Sequence, residues 1–188
     1  MFDTLEKWDI ELFFAINSRH NAFFDFIFYW LSNGLTWIPV YALLVYFLIK
    51  TNGLKPALIQ TVLIILTVAI ADLISVYCFK NVFERYRPSH NLMYGNLVHI
   101  VHDHRGGIFG FVSSHAVNFA VWTTMCYSFF KQKIASKWLL LFLILPILIG
   151  FTRIYLGVHY PGDVVVGYSL GLSISGIALY LYRKFNIQ

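Results

Sequence analysis

Three short stretches of the chain hold the residues able to do chemistry: KNVFERYRP (Lys80 to Pro88), VSSH (Val112 to His115) and TRIYLGVHYPGD (Thr152 to Asp163). Among the residues they supply are the cations Lys80, Arg87 and Arg153, the hydroxyls Ser113 and Ser114, the imidazoles His115 and His159, and the carboxylate Asp163. That inventory suits a phosphoryl group. Guanidinium forks match phosphoryl oxygens in pairs, and a lysine adds a point charge. Ser113 can cap a helix whose first-turn amides face an anion. One histidine can attack phosphorus while the other protonates the departing oxygen. Asp163, four residues after His159, can hold the Nδ1 proton and aim Nε2, the orienting role a third group plays in a triad.

What must position these residues is a set of apolar runs. Of the 188 residues, 59% are hydrophobic and 12% charged, and the mean hydropathy is positive, which excludes an ordinary soluble domain. The reading is an all-α, polytopic membrane helix bundle. Five crossings are expected, at Leu35–Ile49, Leu54–Phe79, Val112–Phe130, Trp138–Phe151 and Val164–Tyr182. The first and fourth must borrow flanking residues to approach the ~20 needed to span hydrocarbon. Linkers, low-complexity tracts and internal repeats are missing, so residues 1–188 read as a single membrane-embedded domain, with an N-terminal segment over 1–33 and a bundle over 34–182.

The N-terminal segment mixes acids with Phe, Trp and Ile. It reads as two interfacial helices, Thr4 to Ile16 and Ala22 to Leu31, broken by the NSRHN turn, with no cleavable signal. Alternating the spans gathers Lys50, Lys55, Lys131, Lys133, Lys137, Arg183 and Lys184 on one side, without an acid among them. The positive-inside rule makes that side cytoplasmic. The three chemical stretches then share the outer face, at the periplasmic surface of a cytoplasmic (inner) membrane.

The pattern K-x6-R-P, S-x-H and R-x5-H-x3-D resembles the type-2 phosphatidic acid phosphatase and vanadium haloperoxidase superfamily, in its membrane lipid phosphatase branch. The resemblance runs from Leu54 to Tyr182. It implies a phosphohistidine on His159 and acid–base work by His115. Phosphoryl oxygens would be bound by Lys80, Arg87, Arg153, Ser113 and the Ser114 amide. It implies no cofactor and no metal. The layout is similar to short bacterial undecaprenyl diphosphate phosphatases, so undecaprenyl diphosphate is the favoured substrate, with lipid A phosphate and phosphatidylglycerophosphate or phosphatidate as alternatives. A lipid flippase or transporter is the reading from a different class. Expected partners are the membrane lipid phosphate and the bilayer, with no nucleic acid and no obligatory protein partner. Two departures stand out: Ser114 replaces the usual glycine of the second motif, and Thr152 replaces the serine before Arg153.

Other residues carry plainer expectations. Arg85 and Glu84 read as a solvated pair. His99, His102, Asp103 and His104 could ligate zinc, but their spacing fits no common site and Arg105 opposes a cation. His102 or His104 could instead meet a head group. Asp72 reads as a bundle-facing acid that could brace Lys80 through intermediates. Trp37 and Trp138 read as belt aromatics, and Cys78 and Cys126 as small core residues.

Overall fold

Glycine, proline and polar caps divide the apolar runs into helices. The computed structural model describes residues 2–185, so Met1 and residues 186–188 of the expected unit lie outside the described residues. The order is α1 (Phe2–Asn17), α2 (Ala22–Ser32), α3 (Ile38–Asn52), α4 (Leu54–Ile74), the single turn α5 (Asn81–Phe83), α6 (Ser114–Phe130), α7 (Ser136–Tyr155) and α8 (Pro161–Lys184). Asn21 starts α2 by accepting from the Phe24 amide, and Ser113 caps α6. Gly53, at φ 85°, ends α3 and begins α4, a backbone angle that glycine adopts without a Cβ clash. α4 runs on through a π-helical turn, Ser75–Lys80, into α5.

Four helical stretches are long and apolar enough to cross a membrane: Gly34–Asn52, Leu54–Phe83, Lys137–Tyr155 and Pro161–Lys184. The expected crossing at Val112–Phe130 becomes α6, a helix of 17 residues. It falls short of the other four in length, yet it is the hub on which α4, α7 and α8 all pack. Most of its residues are buried, from Ala116 to Phe130.

Burial is inverted relative to a soluble protein. α4 exposes Leu58, Val62, Ile65 and Leu66 at 51–60%, while Gln60, Thr67 and Ser75 are buried at 7%, 4% and 0%. Apolar side chains face outward because hydrocarbon is their solvent. The buried polar groups find partners inside: Thr67 donates to the Leu63 carbonyl, and Gln60 accepts from Asn52, as a low-dielectric interior demands. α8 meets α6 through Gly167, Gly171 and Ser175, all buried, a small-residue stripe that lets two backbones approach closely.

Several expectations change. Trp37 is no belt residue: it is 6% exposed, packs against Phe119 and Trp122, and donates its indole N–H to the Leu31 carbonyl. Trp138 stays outward at 56%. Cys126 is buried but Cys78 is exposed. The two N-terminal helices form where expected and pack on α7, and α1 also packs on α8.

Candidate active site

All three motifs converge where the ends of α4, α6, α7 and α8 meet. Lys80 is delivered by the π-helical turn, and its Nζ donates to Ser114 Oγ at 2.5 Å. Ser114 Oγ also lies 2.7 Å from Ser75 Oγ, whose hydroxyl donates to the Asp72 carbonyl. The side chain that replaces the usual glycine is therefore an acceptor for the lysine. Asp72 faces the bundle as expected, its carboxylate accepting from Asn118 at 3.1 Å; the Ser75–Ser114–Lys80 relay starts from its backbone carbonyl, and the carboxylate acts on Lys80 only through space.

Arg153 and His159 are held together by the turn that ends α7. The amides of Val158 and His159 both donate to the Arg153 carbonyl at 3.2 Å. Gly157 makes that turn possible: its φ is +76°, and a Cβ there would sit 2.6 Å from the His99 carbonyl oxygen. Asn17, at the end of α1, clamps the same place. It donates to the Tyr155 and His99 carbonyls at 2.7 and 3.0 Å and accepts the His99 amide at 2.9 Å. Gly106 covers Arg87, its missing Cβ only 3.0 Å from the guanidinium.

His159 is 1% exposed and sits between a donor and an acceptor. Arg87 Nη1 lies 3.0 Å from His159 Nε2, and Asp163 Oδ2 lies 3.4 Å from Nδ1. A guanidinium can only donate. Nε2 therefore offers its lone pair, and the ring proton belongs on Nδ1, facing Asp163. Burial pushes the imidazole well below the ordinary histidine value, and the charges of Arg87, Arg153 and Lys80 push it further. The ring is thus neutral, the form in which it is a nucleophile.

His115 Nε2 donates to the Ser32 carbonyl at 3.2 Å, which ties the ring to the end of α2. It lies within electrostatic reach of Arg153, His159 and Arg87. Ser113 is fully buried. Its Oγ accepts weakly from the Ala116 amide at 3.5 Å, and its own amide donates to the Asp163 carbonyl at 3.0 Å. Thr152 keeps a hydroxyl contact, 2.7 Å from Ser32 Oγ.

The cluster is strongly cationic. Arg87 and Arg153 are 8% and 4% exposed, and the Nε–H of each finds no acceptor among the described residues. Leaving a buried donor unpaired costs about 1–3 kcal/mol, so two arginine donors are held ready for an anion. Asp163 is paired with Arg85 rather than with Lys80, Arg87 or Arg153.

That pairing overturns the expected Arg85–Glu84 pair. Arg85 Nη1 reaches Asp163 Oδ1 and Nη2 reaches Asp9 Oδ2, both at 2.8 Å, while Glu84 is exposed at a left-handed φ of 47°. Asp9 and Asn17 were not singled out from the sequence. No local signal marks them, because their partners lie tens of residues away. The loop histidines gather no metal site: among the described residues no group of three His, Cys, Asp or Glu could hold an ion. His99 is spent on Asp25 at 3.0 Å.

A bundle with lipid-facing apolar helices and a buried, cationic, two-histidine cluster at the helix ends defines a membrane enzyme for phosphoryl groups. The chain belongs to the PAP2 superfamily, whose family pattern matches residues 57–187, and it is a membrane lipid phosphatase of that family. It is similar to a lipid A 4'-phosphatase of Bacteroides thetaiotaomicron, 35% identical over 91% of this chain and 75% of the relative. A lipid A 4'-phosphatase of Porphyromonas gingivalis is 31% identical over 92% of this chain and 73% of the relative. The fold is shared with the crystal structure of a transmembrane PAP2-type phosphatidylglycerolphosphate phosphatase from Bacillus subtilis. That match has a TM-score of 0.73 at 20% identity, covering 96% of this chain and 87% of the other.

Proposed function

We propose that the chain removes a phosphate monoester from lipid A or a closely similar acylated sugar phosphate, through a phosphohistidine on His159. The observation that carries the chemistry is the pairing of His159 with Arg87 on one nitrogen and Asp163 on the other. It sits in a cluster whose arginines keep unpaired donors. Lys80, Arg87, Arg153, Ser113 and the Ser114 amide bind the phosphoryl oxygens. Arg87 turns from Nε2 to a phosphoryl oxygen and Nε2 attacks in line. The N–P bond forms as the P–O bond to the lipid breaks, and His115, which takes up a proton with the bound phosphate dianion, gives its Nδ1 proton to the departing oxygen while Nε2–H stays on the Ser32 carbonyl. His115 then takes a proton from water, which attacks phosphorus, breaks the N–P bond and releases inorganic phosphate. Asp163 stabilises the charge on His159 throughout. Positioning and charge neutralisation supply the rate, and no step calls for a metal or cofactor.

For the substrate, relatives named as lipid A 4'-phosphatases match over 91% and 92% of the chain. They favour lipid A over the undecaprenyl diphosphate expected from layout. The basic segments at 50–55, 131–137 and 183–184 support a site on the extracytoplasmic face. A C-terminal reporter active only outside the cytoplasm reverses that orientation.

The test is phosphate release by purified protein in detergent from lipid A, undecaprenyl diphosphate, phosphatidylglycerophosphate and phosphatidate, each with and without chelator. Fastest release from lipid A, unaffected by chelator, is expected. His159→Ala should abolish turnover and the acid-labile phosphoenzyme together. Hydrolysis surviving in both His159→Ala and His115→Ala overturns the mechanism. A transporter instead releases no phosphate at all.

A further inference from the structure

We propose that Arg85, gripped from behind by Asp9 of α1, is a positioning residue for Asp163 and through it for His159, so that the N-terminal helix belongs to the catalytic apparatus. This rests on the reading of His159 given above.

Asp163 has a side chain 0% exposed and two distinct oxygens. Oδ1 is committed to Arg85 at 2.8 Å. Oδ2 accepts the Tyr160 amide at 3.0 Å and faces His159 Nδ1 at 3.4 Å. The shortest contact, and the only one from a fixed charge, comes from Arg85, so Arg85 sets the plane in which Oδ2 meets the imidazole. Arg85 is itself fixed on two further sides, and the second of these is anchored in turn. Its guanidinium lies 4.1 Å over the Tyr160 ring, its second amino group reaches Asp9 Oδ2 at 2.8 Å, and Asp9 Oδ1 accepts the Gly162 amide at 2.6 Å. Asp9 thus ties α1 both to Arg85 and to the first turn of α8, where an acid is favoured by the helix dipole. A Cβ on Gly162 would sit 2.8 Å from Asp9 Oδ2, so the glycine admits that carboxylate.

The groups around Asp163 explain why a cation is needed here. From the loop come Arg85 and Arg87, from the turn after α7 His159, from the π-helical turn Lys80, and from α1, beyond Arg85, Asp9. Arg153 and His115 lie across the pocket, beside His159. Lys80, Arg87 and Arg153 are reserved for the phosphoryl group, which leaves Arg85 to balance Asp163. A buried carboxylate stripped of its cation favours the neutral form, and a neutral Asp163 no longer stabilises the imidazolium side of the reaction.

The experiment is the pH–rate profile of the full chain in detergent on a lipid phosphate that the wild type hydrolyses. Arg85→Met should lower kcat at neutral pH roughly 10²-fold, the scale for a misplaced catalytic group, with KM changed only a few-fold. It should also move the acid limb of the profile upward by about one pH unit or more, each unit being tenfold in protonation. Arg85→Lys should restore part of both. Asp9→Asn should shift the limb the same way by less, and should add little in the Arg85→Met background, as members of one network do. Should Arg85→Met fail to fold, Arg85→Lys and Asp9→Asn carry the test. Wild-type acid limbs in those variants, or losses confined to KM, overturn the inference. If instead the wild type hydrolyses no lipid phosphate, or His159→Ala stays active, the underlying mechanism is what fails.

Discussion

Gly171→Ala tests the packing that brings the second motif to the third. A Cβ at Gly171 would stand 2.5 Å from the Val117 carbonyl oxygen and 2.7 Å from Ala120 Cβ. Ordinary contact begins at 3.4 Å, so α8 must move from α6 by about 0.9 Å, since neither neighbour is a flexible side-chain end. Overpacking of this kind costs about 1–3 kcal/mol, offset by up to ~1 kcal/mol of helix propensity gained by alanine. At about 2–4 °C per kcal/mol for a chain of this size, the melting temperature should fall by several degrees. Activity should suffer more. The Ser113 amide donates to the Asp163 carbonyl across the same seam, so parting the helices separates His115 from His159, and a ~1 Å misplacement is worth about 10²-fold in rate. Gly167→Ala, nearer the site, would place its Cβ 2.9 Å from the Ser113 carbonyl oxygen and should lose activity with a smaller loss of stability. Gly176→Ala, with nothing within 4 Å, is the control and should melt at or above wild type. The assay is thermal unfolding in detergent beside initial rates on a lipid phosphate. If Gly171→Ala melts with Gly176→Ala and keeps wild-type kcat, the close approach of α6 and α8 does not set the site.

Two further outcomes are expected. His159 sits below the ordinary histidine value because it is buried and then because Arg87 and Arg153 face it. Its contribution to stability is therefore whole above about pH 6.5, where the unfolded side chain is also neutral. It declines as pH falls below that, because the unfolded state takes up a proton the native state refuses, by up to about 1.4 kcal/mol per pH unit until the native ring protonates. His159→Asn should flatten that part of the melting profile between pH 7 and 5, and parallel profiles refute the argument. Asn17→Ala should destabilise by about 2–4 kcal/mol by chemical unfolding, since it strands one buried backbone group of Tyr155 and two part-buried ones of His99.

The helices and much of the pocket were legible along the chain for a local reason. An apolar run is read residue by residue, and each of the three motifs closes or opens such a run, so span alternation alone brings Lys80, Arg87, Ser113, His115, Arg153 and His159 to one end of the bundle. The same locality explains what was missed. α6 is short and carries Asn118 and Thr123, so apolarity gives no hint that it is the central helix. Trp37 has the composition of an interfacial residue, and only packing against Phe119 and Trp122 turns it inward.

Sequence by itself determined the class of protein and the chemistry available to it, because the solvent of a helix and the charge of a motif are properties of contiguous residues. Tertiary structure alone decided how the charges are apportioned. Arg85 stands in the same motif as Arg87, yet it turns back to neutralise Asp163 while Arg87 reaches His159. Its second partner, Asp9, is 76 positions away. In a buried site one or two ångströms choose the partner of a charge, and those distances exist only once the helices have packed.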